Sequence, residues 1–289
     1  MNLPILYEDA DVVVIAKPAG LITHADGRTE EPSVAEWMLE HYPSARDVGE
    51  PWTSPQGEVI LRPGIVHRLD RGTSGVMILA KTGAAHAFLK KQFEDRSTEK
   101  RYRAFVYGHP KEDAGVIEAE IVRLRSLPPR WGVARAGESR AHRAAVTKWQ
   151  VLSRGADPAT GENAAYLEAR PETGRTHQIR VHLKHLGHPV VCDPLYAKGR
   201  PCLFGFGRPA LHAFSLSITL PSGERRTFEA PLPSIGEIAD AFTFHAFEIE
   251  SIEGDVLDIK VLPNRVADCG TAEGIAHELA AILDMPLKA

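Results

Sequence analysis

Two short apolar runs in the first third of the chain predict β-strands. The segment DVVVIAKPAG, residues 11–20, is closed by proline and glycine, so its pattern predicts a strand that ends near Lys17. The segment GVMILAKT, residues 75–82, begins with an unbroken run of apolar side chains. Such a run is typical of a strand that is covered on both faces of a sheet.

Two segments have apolar positions at helical spacing in the same part of the chain. Residues 33–41, SVAEWMLEH, predict a short helix with Ser33 as its N-cap. Residues 83–96, GAAHAFLKKQFEDR, predict an amphipathic helix whose inward face consists of Ala85, Phe88, Leu89 and Phe93.

A third helix is predicted by THQIRVHLKHLG, residues 176–187. Thr176 is its expected N-cap, and Gly187 followed by Pro189 ends it. The apolar positions repeat at the interval of one helix face and form a buried stripe, Ile179, Leu183 and Leu186. His177 and Arg180, in the first turn, therefore point away from that stripe.

Strands outnumber helices along the remaining sequence. The alternating segment EKRYRAFVYG, residues 99–108, predicts a strand with Tyr102, Ala104 and Val106 on one side. Further strands are predicted at 115–123, 142–152, 164–170, 211–220 and 226–231, and a last helix at about 271–284. Because several strands follow one another directly, the order favours an α+β fold. Its central sheet is mostly antiparallel and mixed, with flanking helices, rather than doubly wound and parallel.

Charged residues are distributed unevenly along the chain, although the net charge of its 289 residues is only −4. Residues 241–289 hold nine acids against three Lys and Arg, so we expect an acidic C-terminal extension, a strand plus a helix, after a main domain at 1–240. Residues 121–154 hold eight Lys and Arg, interleaved with Trp131, against the single acid Glu138. A basic face for an RNA backbone and a set of solvated loop arginines both fit this segment.

Composition and the N-terminal pattern narrow the cellular setting. With 43% hydrophobic and 25% charged residues, the sequence suits a soluble globular protein. No apolar run reaches the ~18 residues of a membrane helix, and the first residues lack the pattern of a secretory signal. We therefore expect a cytoplasmic protein with no membrane partner. The cysteines form no CxxC pair, and ordinary free thiols are expected at Cys192, Cys202 and Cys269.

The segment GIVHRLDRGTSGVMILAKT, residues 64–82, sets charged residues between an apolar lead-in and a turn. In an extended chain Arg68 and Asp70 lie side by side on one face. An arginine within hydrogen-bond reach lowers the pKa of a carboxyl group and fixes its orientation. An aspartate held ionised in this way can act as a nucleophile or a general base. A structural ion pair at a strand end fits the same pattern, so this segment alone leaves both readings open.

Other chemistries have weaker support. His182 and His185 share a face of the predicted helix near Cys192 and Asp193, but the sequence has no HExxH pattern, so a metal site is not favoured. A phosphate-binding P-loop, GxGxxG and GxSxG are also absent from the sequence. The candidate chemistry that remains is an aspartate among arginines.

Five segments together resemble the RluA-type pseudouridine synthases. HRLD followed by Thr-Ser-Gly, within residues 64–82, resembles the catalytic signature of that family. The other four resemble its remaining motifs in the same order: ILYEDADVVVIAKPAG (5–20), EKRYRAFVYG (99–108), ARPETGRTHQIRVHLKHLGHPVVCDPLYA (169–197) and ALHAFSLSITLP (210–221). The resemblance implies the pseudouridine synthase fold and the isomerisation of a uridine in RNA to pseudouridine.

The resemblance also implies roles for individual residues. Asp70 matches the catalytic aspartate, Tyr102 the tyrosine that packs against the target ring, and Arg180 the arginine that pairs with the aspartate. Arg68 matches the arginine that enters the duplex as the uridine flips out. Arg175 and His177 are expected to contact the RNA or the uridine.

The resulting hypothesis is an enzyme for 23S rRNA, tRNA or both, acting as a monomer without cofactor or metal. The alternative from another class is a catalytically idle RNA-binding module with the same fold. Two departures from the family pattern stand out. Arg71-Gly72 replaces the common Lys-Asp after HRLD. Because the first motif begins near residue 4, we expect no S4 RNA-binding domain before it. Substrate choice is therefore expected to lie in the catalytic domain, in residues 42–63 and 123–143.

Overall fold

The computed structural model describes residues 1–25, 31–54, 57–126, 128–135, 137–232, 247–253 and 256–261. Its strands are, in chain order, β1 (Ile5–Glu8), β2 (Val12–Lys17), β3 (Trp52–Thr53), β4 (Val59–Ile60), β5 (Ser74–Ala80), β6 (Glu99–Tyr107), β7 (Ala114–Glu118), β8 (Ile121–Leu124), β9 (Arg130–Val133), β10 (His142–Arg143), β11 (Val146–Ala156), β12 (Asn163–Pro171), β13 (Leu211–Thr219), β14 (Arg225–Glu229), β15 (Phe247–Glu253) and β16 (Val256–Val261). Within these ranges the helices are α1 (Val34–His41), α2 (Gly83–Glu94) and α3 (Gln178–His185), and a 3-10 turn covers Pro43–Ala45.

A mixed sheet of nine strands dominates the described residues. Its order is β1-β2-β5-β13-β6-β12-β11-β7, and β14 pairs with residues 215–219 of β13. Neighbouring strands run antiparallel except β5 and β13, which pair in parallel. The described residues also form a three-stranded sheet, β10-β8-β9, and the two hairpins β3-β4 and β15-β16. The predicted α+β fold with a mostly antiparallel mixed sheet is confirmed.

Strands β2 and β5 are buried on both faces because a helix covers each side. Successive side chains of a strand point to opposite faces, so each face receives alternate residues. Trp37 and Met38 of α1 cover one face, and Ala85 and Leu89 of α2 cover the other. The strand residues under α1 are Val13, Ile15, Met77 and Leu79, and those under α2 are Val12, Val14, Val76 and Ile78. This confirms the prediction for GVMILAKT.

The first two helices begin as predicted, but one inward residue was assigned wrongly. Ser33 caps α1 in a capping box, because its hydroxyl accepts the N–H of Glu36 while the Glu36 carboxylate accepts the N–H of Ser33. In α2, Phe88 is 41% exposed. The buried stripe runs instead through Ala85, Leu89 and Gln92, and the Gln92 amide bonds both backbone groups of Thr219 in β13.

Helix α3 begins at Gln178, so the prediction of Thr176 as its N-cap is wrong. His177 takes the cap position in the left-handed conformation, with φ +56°, and makes no side-chain cap bond. The Gln178 carboxamide supplies the local bonds instead, since its oxygen accepts the Arg175 N–H at 3.0 Å and the Thr173 hydroxyl at 2.7 Å. The predicted stripe holds: Ile179 and Leu183 are buried, and Leu186 packs partly buried beside them.

Two predicted strands are each divided in two. Residues 115–123 form β7 and β8, and residues 142–152 form β10 and the first part of β11. The chain crosses from the large sheet to the small one at Ala119, whose N–H donates to Ala145 O. The arginine-rich segment is therefore carried by the three-stranded sheet up to Arg143 and by β11 of the large sheet beyond it. The predicted helix at 271–284 lies outside the described residues, and the boundary at 240 stays a prediction.

The expectation of free thiols is wrong for two of the cysteines. Cys192 and Cys202 are joined by a disulfide with a Cα–Cα distance of 4.8 Å, because residues 193–201 fold back on themselves. Cys269 lies outside the described residues. No helix in the described part of the chain combines the length and apolar character needed to cross a membrane.

A buried histidine lies where the parallel strands meet. His212 of β13 is paired with Ser74 of β5, whose hydroxyl is 2.9 Å from His212 Nδ1. His212 Nε2 lies 3.3 Å from Ala230 O, which fits a neutral ring that donates from Nε2 and accepts at Nδ1. Burial lowers the pKa of His212 to about 4.

We predict that His212 makes folding stability depend on pH in the acid range. Because the pKa is lower in the folded chain than in the unfolded one, the unfolded chain binds more protons between pH 6.5 and about 4. Stability is therefore lost as pH falls through that window, by up to about 3 kcal/mol for this residue. Urea unfolding at pH 7, 5.5 and 4 measures it. His212→Gln should flatten the dependence and the exposed control His109→Gln should not; equal slopes for both would contradict the prediction.

Candidate active site

Asp70 lies in an irregular loop and not in a strand. Residues 66–73 have no strand pairing, although Ile65 makes an isolated bridge to Leu79. Thr23 fixes the loop, since its hydroxyl donates to Leu69 O at 2.9 Å and accepts the Leu69 N–H at 3.3 Å. A turn closed by the Thr73 N–H and Asp70 O, at 3.1 Å, leads into β5. Asp70 is thus held by its backbone immediately before a buried strand.

His67 supports the loop from beneath. Its Nε2 accepts the Ile78 N–H at 3.1 Å, and its ring stacks on Phe93 of α2 with a centroid distance of 4.6 Å. Burial lowers the pKa of His67 to about 3, so the ring is neutral. The residue therefore anchors the loop that carries Asp70 to β5 and α2.

Lys17, at the end of β2, is a buried support that the sequence analysis did not identify. It is 1% exposed, and its ammonium donates to Pro18 O at 2.8 Å, Leu21 O at 2.7 Å and Arg71 O at 3.5 Å. Burial lowers the pKa of Lys17 to about 7, against the opposing effect of the Asp70 charge. The only sequence signal was a lysine that directly follows a wholly apolar run.

Arg180 joins two carboxylates. Its Nη1 donates to Asp70 Oδ2 at 3.0 Å, while its Nε and Nη2 donate to the two oxygens of Asp193 at 2.6 and 2.8 Å. Burial lowers the pKa of Arg180, but the bonds to Asp193 and Asp70 outweigh burial and raise the pKa above its ordinary range. Arg180 is therefore a fixed cation, and its bond orients Asp70.

Asp193 is a second group that the sequence analysis did not identify as part of the site. It is 1% exposed, and its Oδ1 also accepts the N–H groups of Leu195 at 2.9 Å and Tyr196 at 3.1 Å. These bonds fix the carboxylate and, through it, the guanidinium of Arg180. The sequence showed Asp193 only as a possible metal ligand.

His177 lies on the other side of Asp70, with Nε2 at 3.8 Å from Asp70 Oδ2. Its Nδ1 is 2.9 Å from the Tyr196 hydroxyl, which also accepts the Trp131 N–H at 3.1 Å. The Tyr196 hydroxyl therefore links the His177 ring to the backbone of β9. Burial lowers the pKa of His177 despite the Asp70 charge, so the ring is neutral near pH 7.

Tyr102 enters the site from the centre of the large sheet. It lies on β6, where Ala169 of β12 and Ala213 of β13 flank it. Its burial, reinforced by the Asp70 charge, raises the pKa of Tyr102, so the phenol stays protonated at neutral pH. The site thus presents an uncharged aromatic ring next to a carboxylate.

Two cavities of the described structure meet at Asp70. The first has a volume of about 520 Å³, and all six residues singled out from the sequence line it: Arg68, Asp70, Tyr102, Arg175, His177 and Arg180. The second, of about 1090 Å³, shares Arg68, Asp70, His177 and Arg180 and extends towards the β3-β4 hairpin and β9. The structure therefore brings the six predicted residues together, while their chemical roles stay predictions.

The residues of the alternative metal cluster have other partners. His182 is fully buried, with Nδ1 at 2.9 Å from the Thr147 hydroxyl and Nε2 at 3.2 Å from Ala119 O. Cys192 is in the disulfide, and Asp193 bonds Arg180. Within the described ranges, no group of three or more His, Cys, Asp or Glu is arranged to hold a metal ion.

Arg71-Gly72 stands where the family commonly has Lys-Asp, and packing against Pro209 explains the glycine. A Cβ added to Gly72 would lie 2.8 Å from Pro209 Cδ, closer than side chains pack. Arg71 forms an ion pair with Glu31 at 2.5 Å. Gly72 therefore lets the loop after Asp70 pass directly against Pro209.

Comparison with known proteins identifies the family. The sequence profile of a family described as RNA pseudouridylate synthase matches residues 11–185, more than half of the chain. The chain belongs to this family. It is accordingly an RNA pseudouridine synthase, an isomerase, and its similarity to named RluA-type enzymes confirms the resemblance found in the motifs.

Relatives of this RNA pseudouridine synthase match over most of its length. An uncharacterised RNA pseudouridine synthase of Synechocystis is 39% identical over 81% of this chain and 67% of the relative. Ribosomal large subunit pseudouridine synthase D of Zymomonas mobilis is 37% identical over 80% of this chain and 69% of the relative. The structure of human RNA pseudouridylate synthase domain containing 1 is similar with a TM-score of 0.62 and 27% identity, covering 80% of this chain and 84% of the human one.

We predict that Asp193→Asn slows the reaction of this synthase without weakening RNA binding. Loss of the carboxylate charge leaves Arg180 with a single anionic partner and frees its guanidinium to move. Displacement of a positioned group by about 1 Å costs roughly a hundredfold in rate. Single-turnover rates and filter binding on the same RNA measure the two effects. The exposed control Asp113→Asn should match wild type, and a normal rate for Asp193→Asn would contradict the prediction.

Proposed function

We propose that this chain converts a specific uridine of structured RNA, in 23S rRNA, tRNA or both, to pseudouridine, with Asp70 as the nucleophile and the target base flipped out of its stack. The observation that carries the proposal is the Asp70 carboxylate, held by Arg180 where it lines the same cavity as Tyr102. The relatives named for the ribosomal large subunit support an rRNA substrate, and the tRNA option rests on the motif resemblance.

The hydrogen bonds of Asp70 suit a nucleophile. Arg180 Nη1 bonds Oδ2, and among the described residues Oδ1 accepts no hydrogen bond. Because Arg180 also pairs with Asp193, its positive charge offsets that of Asp70 only in part, and a carboxylate oxygen without a hydrogen bond is what attack on the substrate requires. The neighbouring rings of His177 and Tyr102 are neutral and supply no competing charge.

Base flipping is supported by the shape and charge of the site. Uracil in a helix must leave its stack before its glycosidic bond is accessible, at a cost of a few kcal/mol. The cavity next to Asp70, of about 520 Å³, is large enough for a nucleoside. Arg68 lies exposed at its rim, where it can enter the space that the base leaves.

The proposal also covers the oligomeric state, the cellular location and the redox requirement of the reaction. One chain supplies every group of the site, which supports action as a monomer, and a ribosomal or transfer RNA substrate implies the cytoplasm. The reaction moves a base within one nucleotide, so it needs no redox partner. The idle RNA-binding module is less well supported, because such a module has no need for the Asp70–Arg180–Asp193 arrangement.

We predict that Asp70→Asn abolishes pseudouridine formation while leaving folding and RNA affinity unchanged. The amide has the same shape but cannot act as a nucleophile, and loss of such a group lowers turnover by at least about 10³-fold. Pseudouridine mapping of RNA from cells lacking the gene, after incubation with each variant, measures the product and identifies the position. Asp47→Asn, exposed and away from the cavity, is the matched control. Substantial turnover by Asp70→Asn would remove Asp70 from the nucleophile's role.

We predict that Tyr102→Phe binds RNA normally but reacts about a hundredfold more slowly. The phenylalanine keeps the ring that packs against the base and removes the hydroxyl that assists proton removal at C5, a contribution typical of positioned acid–base groups. Tritium release from C5-labelled uridine in RNA, compared with affinity by filter binding, separates the two effects. Unchanged tritium release would limit Tyr102 to packing.

A further inference from the structure

We propose that the second cavity binds an unpaired stretch of the RNA strand adjoining the target uridine. Its bases stack on Trp52 and Trp131, and a phosphodiester lies beside Arg62. This inference rests on the proposed function, because it deepens the substrate specificity of the same site. All three residues line the cavity of about 1090 Å³.

Two half-buried tryptophans, each paired with an arginine, line this cavity from different parts of the fold. Trp52 lies on β3, and the guanidinium carbon of Arg62 is 5.0 Å from its ring centroid. Trp131 lies on β9 opposite Arg123 of β8, whose guanidinium carbon is 6.0 Å from the ring centroid. Aromatic rings combined with arginines are the usual means by which proteins bind unpaired nucleic acid, since every base has a face that can stack.

The positive charge of the cavity is not balanced by its own acids. Its lining has eight Lys and Arg side chains against two carboxylates, Asp70 and Asp193, which both bond Arg180. Arg62 Nε is buried and has no hydrogen-bond partner among the described residues. Burial lowers the pKa of Arg62, and the charge of nearby Arg68 lowers it further. A phosphate beside the Arg62 guanidinium would relieve its repulsion with Arg68.

The size of the second cavity and its connection to the first indicate that it binds an RNA strand and not a single small ligand. The second cavity has about twice the volume of the first, and Arg68, Asp70, His177 and Arg180 line both. A nucleotide that reaches Asp70 through the first cavity therefore has its neighbours along the chain directed into the second. The tryptophans also belong to the two segments, 42–63 and 123–143, in which substrate choice is expected.

Tryptophan fluorescence tests this inference with a probe that the enzyme cannot isomerise. An oligoadenylate of about eight nucleotides offers bases and phosphates but no uridine, and its length suits a site of this kind. We expect it to quench the fluorescence of the native chain, because stacked bases quench indole. Trp52→Phe and Trp131→Phe should each remove roughly half of the quenching, since Trp37 and Trp149 are buried. Trp149→Phe is the matched control and should keep it.

A charge probe and a charge variant complete the test. Inorganic polyphosphate should compete with oligoadenylate without quenching by itself. Arg62→Gln should weaken oligoadenylate binding and lower the slope of log affinity against log salt by roughly 0.7, the contribution of one phosphate contact on a single strand. The exposed control Arg46→Gln should leave the slope unchanged.

The outcomes separate this inference from the proposed function. Absence of quenching, equal quenching in all three Phe variants, or an unchanged slope in Arg62→Gln would overturn the inference, even if pseudouridine is formed. Quenching that depends on Trp52 and Trp131 supports the inference, even if Asp70→Asn shows that the nucleophile is another residue. Binding of polyphosphate together with no quenching by oligoadenylate would indicate a general polyanion site and also overturn it.

Discussion

The bond between Arg180 and its two carboxylates is the interaction on which the site depends. A guanidinium that is 6% exposed needs anionic partners, because an isolated buried cation is strongly unfavourable. Asp193 provides the fixed partner, since its own position is set by two backbone N–H groups. Asp70 provides the second partner at the surface of the cavity, where its side chain is 20% exposed. One arginine therefore links the start of α3, the loop after Val191 and the loop that carries Asp70.

The loop that carries Asp70 is also held by contacts that do not involve Arg180. Thr23 fixes Leu69 from one side, and Lys17 and the Gly20 N–H both bond Arg71 O from the other. The residues on either side of Asp70 are thus tied to the segment that follows β2, and Gly72 allows the next turn to lie against Pro209. Asp70 itself needs few bonds, because its backbone is already positioned. That arrangement leaves one carboxylate oxygen without a hydrogen bond from the part of the chain that the structure describes.

Local patterns predicted the parts of the structure that local forces decide. The strand at VVVIAK, the fully buried strand at GVMILA and the Ser33 cap depend on periodicity and on residues three apart, and all three were predicted correctly. Thr176 failed as a cap because the Gln178 side chain provides the hydrogen bonds that a cap would provide. The prediction that Phe88 faces inward was wrong because the buried face of α2 is set by the contact of Gln92 with Thr219, a residue far along the chain.

Contacts between residues far apart in the sequence also limited the prediction of the site. Arg68 and Asp70 were visible as neighbours, whereas Lys17 and Asp193 act through contacts that the sequence does not show.

The protonation states of these groups determine which charges remain next to Asp70. His177 is neutral because it is buried, and Tyr102 is neutral because burial and the Asp70 charge raise its pKa. Arg180 is shared between two carboxylates, so the charge of Asp70 is only partly offset and stays available at the junction of the two cavities. A polyanionic strand would be repelled by that charge unless the surrounding lining were cationic. The arginines of the second cavity meet this requirement. In the proposed reaction, attraction for the RNA strand and reactivity of Asp70 then depend on different groups. The site can therefore bind an anion while the charge of Asp70 stays only partly offset.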